Sequence, residues 1–281
     1  MRSKTPTSKI KITAKQQLLG NYSLAIGSAV LMLVMLYAII SLVSGAITAF
    51  ALGSRVGSQG VTTEQLDALM VNPHNELMLN ILSYIVMAIV YPVISCISVG
   101  YMYICREISY GRKASTSDLF YVFKHHPDRI IIMSLIMYAL QMVLMLPSTI
   151  YEYKIVNVDS GGREFLIGVV TSIVGSVIFI ILSMGLSQCY LIYLDDNEKG
   201  AVDCMKESLQ MMKGNKWRYF YMQLSFIGYV LLMMVSLGIA GLWITPYMEM
   251  ASVDFYRDLK GDLDDNGPVK APVDEQIAVE L

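Results

Sequence analysis

Apolar runs too long for a soluble core constrain this chain more than any other feature. A bilayer core about 30 Å thick needs roughly 20 helical residues to cross. Leu24–Leu52, Leu77–Ile104, Ile130–Ile150 and Phe165–Leu194 all reach that length. The last run, Phe220 to Tyr247, reads in two ways. It is one long span, or Gly238-Ile239-Ala240-Gly241 is a tight turn between Phe220–Leu237 and a shorter, less apolar Leu242–Leu259. Composition agrees: 55% of the residues are hydrophobic and 16% charged, against about 25% charged in an ordinary soluble domain. The expected fold class is all-α. It is a polytopic membrane bundle of six transmembrane helices, with five as the alternative, and amphipathic interfacial helices on the cytoplasmic side.

Charge sorts by loop. Arg2, Lys4, Lys9, Lys11 and Lys15 precede the first span; Arg106, Arg112, Lys113, Lys124 and Arg129 follow the second; Lys199, Lys206, Lys213, Lys216 and Arg218 follow the fourth. The alternate loops hold only Arg55, then Lys154 and Arg163. Excess Lys and Arg marks cytoplasmic loops, which places the N-terminus inside. Six spans return Arg257 and Lys260 to the same side. The first run is longer than a signal-peptide core of about 7–15 residues and reads as a retained span. A net charge of −2 offers no basic footprint for nucleic acid. The tail 260–281 is acidic and reads as disordered and cytoplasmic.

Short breaks precede three spans: Leu18-Leu19-Gly20-Asn21, His125-His126-Pro127 and Met212-Lys213-Gly214-Asn215. Gly and Asn accept the left-handed conformation that ends a helix; proline ends one by a different route. Each break follows an expected surface helix. Ser115 to Asp118 fits a capping box. Val202, Met205, Leu209 and Met212 recur at helical spacing. Lys206, Lys213, Lys216, Trp217 and Arg218 are candidate contacts for anionic lipid headgroups. The chain therefore reads as one membrane domain, 1–259, with pseudo-repeats 10–105, 113–195 and 200–259, each a surface helix followed by two spans.

The usual catalytic signatures are missing: no Gly-x-x-x-x-Gly-Lys, no His-Glu-x-x-His, no Gly-x-Ser-x-Gly. No catalytic residue, metal or cofactor is expected. Three histidines are too few for most histidine-based sites, and His125-His126 reads as a loop feature. The four cysteines read as small buried hydrophobes, and the 20 methionines, scattered through every apolar run, as packing residues rather than a copper site. Asp195-Asp196-Asn197-Glu198 suits either a hard cation or the start of the next helix.

The strongest polar anomaly is Glu249, eight residues past Gly241. In a six-span chain it lies roughly 12 Å below the outer end, where ionisable groups are costly and face a cavity or a partner. Pro246 and Asp254 complete this candidate intramembrane polar site, with broken helices expected around Pro92 and Pro246. Small residues recur every fourth position at Ser41, Gly45, Ala49 and Gly53, and again at Gly168, Ser172 and Ser176. Such stripes permit close helix approach, within the bundle or in a dimer.

The C-terminal third reads Leu194-Asp-Asp-Asn-Glu, Ser208-Leu-Gln-Met-Met-Lys-Gly-Asn-Lys-Trp, Leu224-Ser-Phe-Ile-Gly, Leu237-Gly-Ile-Ala-Gly-Leu-Trp-Ile-Thr-Pro-Tyr and Phe255-Tyr. Over about 194–257 it resembles the bacterial integral-membrane family catalogued as domain of unknown function 975; the likeness is diffuse upstream. Ala240 inside the turn and Tyr229, where many members are expected to carry tryptophan, are departures. The resemblance implies a six-helix protein of bacterial plasma membranes and carries over no catalytic residue. A remoter likeness in layout is to the membrane domain attached to some glycerophosphodiester phosphodiesterases.

The expected function is a non-catalytic interaction or assembly component of a membrane or envelope system. Its partners are membrane lipids, through anionic headgroups on the cytoplasmic face, and a protein in the membrane. The alternatives are a transporter or lipid-handling protein with its polar site near Glu249 and, ranked lower, a lipid-acting membrane enzyme.

Overall fold

The computed structural model describes residues 5–53, 73–157 and 162–265. The expected tail beyond Asp265 and the Arg55 loop lie outside the described residues. The described chain is helical, without a strand. Helix α1 is Thr7–Leu18, α2 Tyr22–Gly53 and α3 Pro73–Ser109. A 3-10 turn, Thr116–Phe120, leads through α4, Tyr121–Lys124, into α5, Pro127–Asn157. Then come α6 Gly162–Leu186, α7 Cys189–Asp195, α8 Ala201–Met211, α9 Lys216–Leu224 and α10 Ile227–Val235. Last are α11 Gly241–Lys260 and the short α12 Asp262–Asp265.

Five stretches are long and apolar enough to cross a membrane: Tyr22–Ala49, Ile81–Ser109, Pro127–Tyr151, Phe165–Asp195 and Lys216–Val235. By length and composition the count is five, the alternative to six; α11 is the sixth long helical stretch and runs back beside α10 without meeting that measure. Helix α11 has the length, but Glu249, Asp254, Arg257, Asp258 and Lys260 make it too polar to qualify.

The breaks that aim the spans are backbone devices. Gly20 and Gly214 take φ of 87° and 85°, a region open to glycine without a Cβ penalty. His126 takes φ of 48°. The histidine-proline break thus adds a left-handed step at His126 to the proline that opens the next helix. Pro92 and Pro246 lie inside continuous helices. The helical path is interrupted instead at Ser187–Gln188 and at Ser225–Phe226. Between α10 and α11 the chain reverses through Leu237 and Gly238, both left-handed at φ 52° and 89°.

The chain divides into two compact units. One comprises Val34–Ile94 and Ile131–Ser183, from stretches of α2, α3, α5 and α6. Here Gly175 of α6 approaches α5 so closely that a Cβ would stand 2.6 Å from the Leu144 carbonyl oxygen. Tyr138 donates to the Tyr84 carbonyl at 3.0 Å. Large apolar side chains such as Tyr37, Leu42, Ile89 and Val143 point outward. In water each would forgo about 1.5–3 kcal/mol of burial; against lipid tails that penalty vanishes.

The other unit comprises the described chain up to Leu33, then Ser95–Ile130, then the described residues from Met184 onward. Its spine is α11, whose residues from Met250 to Asp258 are all buried. Helix α1 lies along α11 and buries Ile10, Ala14, Gln17 and Leu18. The 3-10 turn buries Leu119 and opens with the expected capping box, Asp118 accepting from the Ser115 amide at 2.8 Å. It presses on α3 at Gly100, where a Cβ would meet the Leu119 carbonyl oxygen at 1.9 Å. Hence the expected surface helices are also packing elements. The stripe read on α8 splits: Met205 and Met212 are buried, while Val202 and Leu209 remain exposed.

Candidate functional site

Polar side chains on apolar helices must find partners, because a buried polar group left alone costs free energy. In the second unit α11 supplies most of those partners. Asp195, at the end of α7, is a hub. Its Oδ1 accepts from Arg106 Nε at 3.0 Å and Nη2 at 2.5 Å. Its Oδ2 accepts from the Tyr256 hydroxyl and from Lys260 Nζ, both at 2.6 Å. Arg106 also reaches Glu107 Oε1 at 2.7 Å. Burial works against the Lys260 ammonium, but the Asp195 hydrogen bond outweighs it and holds the lysine above its ordinary value.

A second knot lies beside the first. The Ser109 hydroxyl donates to Asp254 Oδ1 at 2.7 Å. Arg257 Nη1 donates to the Ser109 carbonyl at 2.6 Å and to its hydroxyl at 2.9 Å. A cation at the C-terminus of α3 suits the helix dipole and one of its orphan carbonyls. The Arg257 guanidinium also sits 4.5 Å over the Tyr110 ring. Arg218 of α9 donates to Asp258 and lies 5.0 Å over Phe255. Charge-assisted bonds of this kind are the strong ones, and removing one partner of a buried pair costs about 3–5 kcal/mol.

Glu249 is different. The residue is half-buried, yet its Oε1 is sealed from solvent and has no hydrogen-bond partner. Tyr101 and Cys105 of α3 and Tyr219 of α9 lie within electrostatic reach of its carboxyl group. Asp254 belongs to the Ser109–Arg257 knot, so the candidate residues Glu249 and Asp254 are not brought together.

Residues 1–262 match the family described as "Protein of unknown function (DUF975)". The chain belongs to that family. The match extends well upstream of the segment 194–257 that carries the resemblance in sequence. No curated protein matches the chain, and no solved structure does.

The remaining candidate residues of this DUF975 member are placed as follows. Trp217 is 72% exposed and makes an aromatic cluster with Phe220 and Tyr221. Lys206 pairs with Asp203 at 3.6 Å. Lys213 is exposed, and Lys216 lies over Gly185. Arg218 is committed to Asp258 rather than to the surface. Pro246 is buried within α11. Ser41, Gly45 and Ala49 are exposed, with open space beside Gly45; no helix of the described chain closes on that face. Gly53 ends α2. Gly168 is buried and Ser172 and Ser176 half-buried, but the tight approach on α6 is at Gly175, outside the stripe.

Among the described residues no group of three His, Cys, Asp or Glu is arranged to hold a metal ion. The oxygen cluster at Asp195 is an acceptor for cations of the chain itself. Cys96, Cys105, Cys189 and Cys204 are free and buried. His125 stacks on Tyr121 at 4.2 Å and receives the Tyr193 hydroxyl on its carbonyl. Sequence reasoning missed the hub because it counted Arg106, Arg257 and Lys260 as topology signals. The usable signal was Asp254, Arg257 and Asp258 spaced three and four apart along a helix whose neighbours are apolar.

Proposed function

We propose that the protein is a non-catalytic multi-pass component of the bacterial plasma membrane, with both termini cytoplasmic, on which a membrane or envelope system assembles. The interlock around α11 carries this reading. Asp195, Asp254 and Asp258 each receive donors from other side chains, and α3, α7, α9 and α11 are tied into one polar core. These charges hold helices in place, as a rigid platform needs. The hairpin of α10 and α11 supports the placement of the C-terminus: Phe226 meets Tyr247 at 5.3 Å, and Arg218 meets Asp258. The end of α11 therefore lies level with the start of α9. The exposed Trp217 cluster beside Lys213 is chemistry suited to anionic headgroups at a membrane interface.

The test is a mild purification from native membranes with mass spectrometry of proteins and bound lipids. A near-stoichiometric protein partner is expected. A protein that elutes alone, enriched in one lipid or solute, refutes assembly and favours a second reading, transport or lipid handling. The unpartnered Glu249 Oε1 is the observation behind that second reading.

A further inference from the structure

We propose that Glu249 is a proton-binding site: a carboxyl group that stands protonated among the helices and exchanges its proton with the aqueous phase. The inference deepens the transport reading and does not depend on assembly. Its basis is a contrast between acids of the same unit. Asp195 accepts from two cations and a hydroxyl; Asp254 has Ser109 and Arg257; Asp258 has Arg218. Glu249 Oε1 is sealed and has no donor; Asp254 Oδ2 is also unpartnered, but the other oxygen of that carboxyl is held by Ser109, whereas no side chain donates to Glu249 Oε1. The cations of the neighbourhood, Arg106, Arg218, Arg257 and Lys260, each hold one of those other acids or Ser109, although Arg218 Nε and Nη1 and Arg257 Nε are sealed without a partner.

What faces Glu249 is neutral. Tyr101 and Cys105 approach from α3 and Tyr219 from α9. The Tyr101 hydroxyl is turned to the Ala25 carbonyl at 3.5 Å, and the Tyr219 hydroxyl to Ser252 at 3.5 Å. Helix α1 lies against α11 with Ile10, Ala14, Gln17 and Leu18, none of them ionisable. On α10, Tyr229 meets Tyr247; on α12, Asp262 is occupied by Lys260 and Tyr110. A carboxylate with one oxygen sealed, no donor to that oxygen and no counter-charge beside it is disfavoured, and taking up a proton removes the charge. Ser28 offers a second sealed, unpartnered oxygen one helical turn from Ala25. Polar atoms thus extend beyond Glu249 toward α2.

The experiment uses the full chain in its native membrane. Dicyclohexylcarbodiimide reacts with protonated carboxyl groups in apolar surroundings, and peptide mapping locates the adduct. The expected result is an adduct on the Glu249 peptide at neutral pH that declines as pH rises, equally in sodium, potassium and choline chloride. Absence of that adduct at saturating reagent overturns the proposal. Protection by sodium or potassium overturns it too, in favour of a metal cation. A melting series supplies an independent readout. Relative to E249Q, the wild type should lose thermal stability as pH rises from the ordinary glutamate range, about 4.3, and level off above the folded value, because the ionised form is the disfavoured one. Parallel curves for the two proteins overturn the proposal. These outcomes are separate from the transport reading, which fails if no solute or lipid copurifies, whatever the labelling shows.

Discussion

Replacing Gly100 with alanine should be among the most damaging single-methyl additions in the molecule. The added Cβ would stand 1.9 Å from the Leu119 carbonyl oxygen, 2.6 Å from its carbon and 3.0 Å from its Cα. Merely to reach 3.0 Å from that oxygen the 3-10 turn must retreat by 3.0 − 1.9 = 1.1 Å. The obstacle is backbone, so no side-chain rotation relieves it. The retreat drags out Leu119 and Val122, both fully buried, and pulls Tyr121 from Tyr103, on which it stacks at 3.8 Å. Overpacking costs about 1–3 kcal/mol and a lost aromatic stack about 0.5–1.5 kcal/mol. Together they put the loss at about 3 kcal/mol, or roughly 6–12 °C in melting temperature for a protein of this size. Thermal melting of detergent-purified protein, followed by intrinsic fluorescence and size exclusion, measures it. Gly45→Ala is the control, since its Cβ enters open space and a helical alanine is favoured over glycine by about 0.5–1 kcal/mol. If G100A melts within about 2 °C of G45A, the close approach of turn and helix is wrong.

Three further outcomes follow from the polar core and the breaks. Asp195→Ala leaves Arg106 with Glu107 alone and strips Tyr256 and Lys260 of their acceptor; it should cost about 3 kcal/mol, read as melting temperature and as yield from membranes. Lys260 is held above its ordinary value by Asp195, so its contribution is full below the unfolded lysine range and lost as pH rises through the folded value. Wild type and Lys260→Met melting curves should therefore converge at strongly alkaline pH and differ at neutral pH by no more than about 1 kcal/mol, the side chain being a third exposed. His126→Gly should stabilise by about 1 kcal/mol, because a left-handed φ of 48° is strained for any side chain; a melting temperature below wild type would show that the histidine ring's contacts outweigh that strain.

Much of the architecture was legible because membrane physics is written in long, simple patterns. The first four spans are visible as apolar runs, and Gly20 and Gly214 mark turns that only a few residue types tolerate. Helix α11 was harder. Its polar residues weaken the hydropathy signal, and only folding reveals that Asp254, Arg257 and Asp258 are satisfied by α3 and α9. The interruption at Ser225–Phe226 was also hidden, because neither residue is a helix breaker. There Lys11 of α1 donates to the Ser225 hydroxyl at 3.0 Å and lies 4.7 Å over the Phe226 ring. That contact joins residues more than two hundred positions apart, and no local pattern announces it. Glu249 stood out by its setting in the sequence, but which neighbours would leave it unpartnered was not visible there.

The packing of α1 along α11 has a consequence for the time course of synthesis. Leu18 leaves the ribosome long before Lys260, with 260 − 18 = 242 residues between them. At about 5–20 residues per second that is a delay of roughly 12–48 s. Throughout that interval Ile10, Ala14 and Leu18 lack the helix that finally covers them. The bilayer surface is the available shelter for an amphipathic helix in waiting, and the basic residues Lys9, Lys11 and Lys15 suit it to that temporary berth. The first helix made and the last long one made then close on each other, so a nascent chain that stalls before α11 displays an uncovered N-terminal helix as the mark of its incompleteness.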